Sequence, residues 1–179
     1  ELPDEKKDRF IKEYNLSTYE ANILVSEKEV SDYYEEVIKY SDKKIATNWI
    51  TGDLFALLNK KNLPISKSPI SAKNLSSLIN MITSAKISGR IAKEVFDIMQ
   101  EKDENPERIV ESRDLIQQSD PKELEKIILK ILSINKDKVE QYKSGKEKLF
   151  GFFVGQVMKV SEGKANPQLV NEILKNKLK

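Results

Sequence analysis

The sequence predicts an all-α fold built from two successive helical units. Helix-favouring Lys, Glu, Leu and Ile are abundant, while only 6 Gly and 6 Pro interrupt 179 residues. Signals for helix starts follow one another along the chain with short gaps. No alternation of apolar and polar residues is long enough to indicate a β-strand. These three observations together favour helices over sheet.

The first predicted helices are marked by capping residues. Pro3 opens a helix that begins with acidic residues and runs to Tyr14. Ser17 and Glu20 have the spacing of a capping box, in which each side chain accepts a hydrogen bond from the other residue's backbone. The stretch 26–29, from Ser to Glu, repeats that spacing and predicts the start of the next helix.

The middle of the chain continues the helical pattern around one linker. A helix is predicted over 43–59, because one of its faces is mostly apolar. The stretch 63–71 contains two prolines and three serines, which indicates a linker. Ser71 and Ser88 then cap two further helices, and Asn105 caps a short one that begins with a proline.

The second unit follows a boundary predicted at 112–119. Asp120 precedes a first-turn proline, and a short helix is expected over 137–143. The next helix is predicted over 146–160, with a glycine beyond its end. Asn166 caps the last helix, which carries an apolar stripe.

Composition excludes several classes of chemistry. The chain has no Cys and no His. It therefore cannot form disulfides, thiolate or imidazole zinc sites, or a catalytic triad that uses either residue. Carboxylate pairs and a lysine nucleophile stay open as catalytic options, but no compact acidic cluster indicates a magnesium site. A stretch with no catalytic residue, metal or cofactor of its own is therefore the favoured interpretation.

Charge is unevenly distributed along the chain. Residues 1–118 hold 18 Lys or Arg and 21 Asp or Glu, whereas residues 119–179 hold 13 Lys and 8 Asp or Glu. A basic end on a mildly acidic body indicates a polyanionic partner, although lysine-rich ends are also common as solvated surface. The chain begins at Glu1 without an apolar targeting or membrane-spanning segment. We therefore expect a soluble, cytoplasmic piece of a longer protein with no membrane contact.

The stretch GFFVGQVMKVSEGKANP, residues 151–167, combines glycines with lysines. It lacks the spacing of a phosphate loop and the strand that should precede one, so a nucleotide-binding loop is rejected. Gly151 and Gly155 share one helix face, which predicts a seam where another helix packs closely. The aromatic residues of the first unit, Trp49 with the tyrosines at 33 and 34, are predicted to be core residues.

Polar residues around this stretch could bind phosphate: Lys146, Lys148, Lys159, Lys164 and Asn166. Lysines supply point charges, and the amides at the start of the last helix would favour an anion. The same residues could instead complement a helix C-terminus and cap a helix. Residues alone leave both interpretations open.

Four segments resemble a known family: LPDEKKDRFIKEYNLSTYEANIL, NWITGDL, ISGRIAKEVFDIM and GKEKLFGFFVGQVMKVSEGKANPQLVNEIL. They are similar to the C-terminal part of the B subunit of the glutamine-dependent aspartyl/glutamyl-tRNA(Asn/Gln) amidotransferase. The last segment also resembles the stand-alone YqeY-like domain. The resemblance implies a helical linker domain over 1–113 and a YqeY-like tail domain of three to four helices over 114–179.

The resemblance also implies a function. The whole B subunit would bind ATP and magnesium in an upstream catalytic domain and activate the carboxylate of glutamate on tRNA(Gln) or aspartate on tRNA(Asn). The amidase subunit would supply ammonia, and a small C subunit would complete the heterotrimer. The tail would contact the outer corner of the tRNA, with the five polar residues above as candidate contacts. The alternative is a protein-interaction module that docks a partner subunit or synthetase, with solvated lysines.

Overall fold

The computed structural model describes residues 1–179, and all its regular elements are helical, so the predicted all-α fold is confirmed. A single isolated β-bridge joins Gln118 to Ala165. Two short irregular helical turns, a π-turn at Ile50–Leu54 and a 3₁₀ turn at Ile65–Lys67, accompany the α-helices. The α-helices are α1 (Pro3–Tyr14), α2 (Thr18–Val25), α3 (Lys28–Ile38), α4 (Lys43–Trp49), α5 (Phe55–Lys61), α6 (Ala72–Thr83), α7 (Gly89–Lys102), α8 (Pro106–Ser112), α9 (Pro121–Ile134), α10 (Lys136–Lys143), α11 (Leu149–Val160) and α12 (Pro167–Lys177).

Contacts divide the chain into two compact units. The first unit consists of residues 1–83 and 95–109, and the second unit of residues 84–94 and 110–179. The second unit thus includes the start of α7, which a boundary drawn along the sequence would not include. The predicted domain limits of 1–113 and 114–179 stay a prediction.

The predicted helix caps are formed where the signal is local. The amide of Glu20 donates to the Ser17 hydroxyl at 3.2 Å, and the Glu20 carboxylate accepts from the Ser17 amide at 2.7 Å. Hydrogen bonds from the side chain and then the backbone of Ser17 lower the pKa of Glu20. Asn105, Asp120 and Asn166 each accept a hydrogen bond from the amide two residues later, at 2.8, 2.9 and 3.1 Å. Polar side chains therefore satisfy amides that helix starts leave without partners.

The second predicted capping box, at Ser26, is wrong. The Ser26 hydroxyl donates to the Ile23 carbonyl at 2.8 Å, so it closes the end of α2. Glu27 occupies the cap position of α3 without a side-chain cap. The connection between the two helices is too short for Ser26 to end one and also start the next.

The predicted helix over 43–59 is continuous but contains a wider turn. The π-turn at Ile50–Leu54 joins α4 to α5, and the helical segment ends at Lys61. Trp49 is buried just before this turn, Ile50 and Leu54 are buried within it, and Leu57 is buried after it. A π-turn adds one residue to a helical turn and rotates the following face. This rotation keeps apolar residues inward on both sides of the turn.

Aromatic side chains form part of the core of the first unit, as predicted. Tyr34 is fully buried, and Trp49 packs against Phe96 with ring centroids 5.3 Å apart. Burial raises the pKa of Tyr34 to about 12, although a hydrogen bond from Thr47 acts in the opposite direction. Tyr33 donates its hydroxyl hydrogen to the Ile70 carbonyl at 2.9 Å. The rings of Tyr34 and Trp49 are therefore not available to stack on bases, whereas Tyr33 is half-buried and the prediction that it is a core residue is met only in part.

The second unit has its own apolar core between α9, α11 and α12, and α10 packs beside it. Phe153 and Val157 of α11 are fully buried in this core, together with Leu124 and Ile128 of α9 and Leu174 of α12. The four helices α9–α12 match the three to four expected for the tail. This packing determines which face of α11 stays exposed.

Candidate nucleic-acid interface

The five residues predicted to contact RNA all lie in the second unit around α11. Lys146 and Lys148 precede the helix, Lys159 lies in its last turn, and Lys164 and Asn166 lie between α11 and α12. The structure thus places all five at the two ends of one helix. Their exposure and partners differ.

Helix α11 begins later than predicted, at Leu149 instead of Lys146. Gly145 has a φ of +105° and turns the chain after α10. The ammonium group of Lys146 donates to the Gln141 side chain at 3.2 Å, within the same turn. Lys148 is the cap residue and has helical backbone angles. Lys148 therefore continues the direction of the helix, whereas Lys146 belongs to the turn.

One face of α11 is exposed to solvent along its length. Lys148, Gly151, Gly155 and Lys159 are all exposed. With 3.6 residues per turn, these four positions fall within about 80° of one another around the axis. The Cα atoms of Lys148 and Lys159 are separated by about 16 Å along the axis. We call these four residues the glycine face; it carries a lysine at each end and bare backbone between them.

The predicted packing seam at Gly151 and Gly155 is wrong. A Cβ atom built on either glycine meets no neighbouring atom within 4 Å. The contacts of α11 with other helices involve the opposite side, where Phe153 and Val157 are buried. Glycine in a helix costs about 1 kcal/mol relative to alanine, and no packing within this chain offsets that cost.

Lys138 of α10 lies beside the glycine face and was missed by sequence reasoning. Its Nζ atom is 5.0 Å from the centroid of the Phe152 ring, a cation–π contact. Phe152 is half-buried and neighbours Gly151 on α11. Contact between two helices positions this lysine, and no local sequence signal marks it.

Lys164 is half-buried and has a partner. Its Nζ atom lies 3.1 Å from the Asp114 carboxylate, and 24% of its side chain is exposed. The backbone around it is also held, because its carbonyl accepts a hydrogen bond from the Gln118 amide at 2.6 Å. These contacts connect the loop after α11 to the segment that precedes α9.

Asn166 is committed to backbone hydrogen bonds. Its side-chain oxygen accepts from the amides of Gln168 and Leu169, at 3.1 and 3.4 Å, and its amide group donates to the Ser119 hydroxyl at 3.4 Å. Its own N–H donates to the Gln118 carbonyl at 2.9 Å. Asn166 is therefore a helix cap in this structure, and its contact with phosphate stays a prediction.

Comparisons with known proteins identify the family of this chain. Residues 32–178 match the profile of the family described as "GatB domain". The chain belongs to the GatB domain family. Relatives named as the B subunit of aspartyl/glutamyl-tRNA(Asn/Gln) amidotransferase are 61% identical in Pelagibacter ubique, 51% in Granulibacter bethesdensis and 48% in a Wolbachia strain. Each alignment covers 99% of this chain but only 37–38% of the relative's length.

Charged groups in the first unit of this GatB-domain chain form a network between α1 and α3. The Arg9 guanidinium donates to the Glu1 and Glu35 carboxylates, each at 2.7 Å. The Tyr14 hydroxyl donates to Glu35 at 2.9 Å, and the Lys6 ammonium lies 3.6 Å from the Glu35 carboxylate. The network connects two helices and lies partly exposed at the surface.

The pKa shifts in this network favour the charged forms of its acid and its base. Burial opposes ionisation of Glu35, but hydrogen bonds from Arg9 and Tyr14 and the nearby cations lower its pKa overall. Hydrogen bonds to Glu1 and then to Glu35 raise the pKa of Arg9. Burial, followed by the hydrogen bond to Glu35, raises the pKa of Tyr14. The lowered pKa of Glu35 and the raised pKa of Arg9 both favour the ion pair that joins α1 to α3.

A groove of about 650 Å³ in the first unit is lined mainly by residues that already have structural partners. Ser17 and Asp42 cap helices there, and Lys43 donates to the Glu13 carbonyl at 3.1 Å. No group of three or more acidic side chains is placed to hold a metal ion. None of the helices is both long and apolar enough to cross a membrane. The exposed lysines at 146, 148 and 159 make the basic surface around α11 the strongest candidate site.

Proposed function

We propose that this chain is a non-catalytic tRNA-recognition and positioning part of a glutamine-dependent aspartyl/glutamyl-tRNA amidotransferase. In that reaction glutamate on tRNA(Gln) becomes glutamine, or aspartate on tRNA(Asn) becomes asparagine, during cytoplasmic protein synthesis. The observation that carries the proposal is 61% identity, over 99% of the chain, to a relative that bears this enzyme's name. The partners would be the tRNA, the amidase subunit and the small C subunit.

ATP and Mg²⁺, which the parent reaction uses, do not fit the residues present here. The carboxylates of this chain do not converge in a group that could hold a metal ion. Gly163 and Lys164, the glycine–lysine pair in the basic loop, follow a helix and not a strand, unlike a phosphate loop. We therefore assign carboxylate activation to the part of the parent protein that this chain does not span.

The glycine face and the lysines around it would contact the tRNA backbone. Lys148 and Lys159 are exposed and about 16 Å apart along α11, so they could bind phosphates several nucleotides apart. Gly151 and Gly155 carry no side chain that would obstruct a sugar–phosphate chain between them. Lys146 and Lys138 would add charge at the start of the helix. Contacts of this kind recognise RNA by shape and backbone, not by base sequence.

Lys164 and Asn166 would act mainly through the shape of the loop. Both are held by residues of the segment before α9, and Asn166 caps α12. No arginine occurs in residues 119–179, so bidentate reading of guanine edges within this stretch is not part of the proposal.

Docking of a protein partner on α11 is less well supported. That alternative would be favoured by an exposed apolar patch at Phe152 and Phe153. Phe153 is fully buried, and Phe152 is half-buried beneath Lys138. The patch at Phe152 and Phe153 is therefore used within the second unit, although Val160 at the end of α11 is exposed.

The test is the salt dependence of tRNA binding. The 179-residue chain and a K148Q/K159Q variant would be titrated against a fluorescently labelled tRNA(Gln) transcript at several salt concentrations. Each lost phosphate contact reduces the slope of log affinity against log salt by about 0.7–0.9, so the double variant should reduce it by about 1.5. A K60Q/K61Q variant is the matched control, because these lysines are also exposed in the last turn of a helix but belong to the first unit.

The expected result is a weaker affinity and a smaller slope for K148Q/K159Q, with the control close to the unsubstituted chain. Equal affinities and slopes for all three proteins would contradict a tRNA contact at α11. Equal binding of the purified amidase subunit by the unsubstituted chain and by K148Q/K159Q, with tRNA binding also unchanged, would support the protein-docking alternative instead.

A further inference from the structure

Arg90 lies against the loop that follows α11, although the two are far apart in the sequence. A Cβ atom built on Gly163 would lie 2.6 Å from Nη1 and 3.2 Å from Cζ of Arg90. The guanidinium group therefore rests on the surface where Gly163 has no side chain. Both residues belong to the second unit.

Hydrogen bonds of the side chain of Ser88 and of the backbone hold this arrangement in place. The Ser88 hydroxyl lies 3.4 Å from the Gly163 carbonyl, and it also caps the start of α7 by accepting from the Ile91 amide at 3.2 Å. The Gln117 amide donates to the Lys86 carbonyl at 2.6 Å. The start of α7 is thus joined to the rest of the second unit, so the position of Arg90 relative to α11 is determined by the fold.

The N–H groups of Arg90 remain largely free for an external ligand. Its side chain is 63% exposed, and its ion-pair partner, Glu94, is 3.7 Å away and itself 48% exposed. An exposed pair at this distance contributes little. The guanidinium group is therefore positioned by packing on Gly163 while most of its donors face solvent.

We propose that Arg90 is a phosphate-binding residue of the tRNA interface, positioned by Gly163 at the C-terminal end of α11. The planar guanidinium group can donate two parallel hydrogen bonds to one phosphate, which a lysine cannot do. Gly163 follows Lys159 by four residues and lies just past the end of α11 at Val160, so Arg90 adds a second cation at this end of the helix. This inference rests on the proposed function.

Gly163 is a positioning residue in this scheme. Its φ of +79° favours glycine, and any Cβ would displace the Arg90 guanidinium. An alanine at this position adds backbone strain as well, whereas asparagine tolerates positive φ better. The pair Gly163→Ala and Gly163→Asn therefore separates displacement of Arg90 from loss of stability.

The experiment uses the 179-residue chain, the labelled tRNA(Gln) transcript and the variants R90Q, R90K, G163A, G163N and G163N/R90Q. Thermal unfolding would be measured for each, so that only folded proteins are compared. R90Q should weaken binding about tenfold and reduce the salt slope by about 0.7–0.9. R90K should keep most of the salt slope but lose about threefold in affinity. Lysine keeps the positive charge but lacks the planar guanidinium group that donates two parallel hydrogen bonds to one phosphate.

G163N should weaken tRNA binding when Arg90 is present but have no further effect in the R90Q background. An exposed arginine of the first unit, replaced in R108Q, is the matched control and should bind like the unsubstituted chain. Unchanged affinity and slope for R90Q would overturn the inference. An equal loss for G163N in both backgrounds would overturn the positioning role.

Failure of this inference is distinguishable from failure of the proposed function. If K148Q/K159Q weakens tRNA binding and R90Q does not, the tRNA interface stands and Arg90 is excluded from it. If neither variant changes the binding, both conclusions fail together.

Discussion

Replacing Gly151 and Gly155 by alanine should stabilise the second unit and weaken tRNA binding at the same time. A Cβ atom at either position meets no neighbour within 4 Å, so the new methyl groups cause no clash within the chain. Alanine also restricts the unfolded chain more than glycine does, which favours the folded helix. Binding to tRNA should weaken for a different reason, because the methyl groups would obstruct the sugar–phosphate chain between Lys148 and Lys159. Stability and tRNA binding can therefore be measured separately.

The magnitude follows from the positions of the glycines in α11. Gly155 lies in the middle of the helix, where alanine should stabilise by about 1 kcal/mol. Gly151 lies in the first turn, and a gain of about 0.5 kcal/mol is appropriate there. Their sum, about 1.5 kcal/mol, corresponds to a rise of about 6–12 °C in the melting temperature of a domain of this size class.

The assays are thermal unfolding followed by circular dichroism, and titration with the labelled tRNA(Gln) transcript. The matched control is G52A, because Gly52 is also an exposed helical glycine with no neighbour within 4 Å but belongs to the first unit. G52A should leave tRNA affinity unchanged. A G151A/G155A variant that unfolds at a lower temperature would refute the reasoning, because it would show that the glycines are tightly packed.

Three further predictions concern the stability of the two units. Glu35→Gln should reduce the loss of stability that the first unit shows at acid pH. Because the pKa of Glu35 is lowered in the folded chain, the ionised carboxylate stabilises the fold at pH values above the ordinary glutamate pKa. This stabilisation is lost as the pH falls through the lowered value. The free energy of unfolding in urea, measured from about pH 7 to about pH 3 for the unsubstituted chain and the variant, tests this. The same pH dependence in both proteins would contradict it. Ser17→Ala should cost about 1 kcal/mol by removing the capping box of α2, whereas an unchanged urea midpoint would show that the cap is not needed. Phe153→Ala should lower the free energy of unfolding of the second unit by about 3–5 kcal/mol, because the ring is fully buried. Little change in stability, together with native dispersion of the NMR signals of α9–α12, would argue against that core.

Helix starts could be predicted because their signals are local. The capping box of Ser17 and the caps at Asp120 and Asn166 depend on residues only two or three positions away. Ser26 shows the limit of this reasoning. The same spacing occurs there, but the preceding helix ends at that serine and uses its hydroxyl first.

The periodicity of apolar residues in α11 does not determine which side of the helix is buried. The spacing of Gly151 and Gly155 correctly places both on one side of α11, but apolar residues surround most of that helix in the sequence. Which side is buried depends on how α9 and α12 pack against Phe153 and Val157. Tertiary packing, and not the sequence pattern of α11 alone, therefore determines the exposed side.

Long-range contacts account for the residues that sequence reasoning missed. Lys138 reaches α11 through the Phe152 ring, and Arg90 reaches Gly163 across much of the chain. Lys164, in contrast, was identified as a basic residue but is paired with Asp114. A charge pattern along the sequence therefore indicates a basic region but not the availability of each lysine.

Contact between the exposed face of α11 and tRNA can be observed most directly by NMR titration of the ¹⁵N-labelled chain with a tRNA(Gln) transcript. The amide signals of Gly151 and Gly155 report on this face without any substitution, and that of Gly52 reports on an exposed helix of the first unit. We expect the Gly151 and Gly155 signals to shift or broaden at the lowest tRNA ratios, while the Gly52 signal changes little. Unchanged Gly151 and Gly155 signals at a ratio where other residues show saturated binding would contradict a tRNA contact on this face.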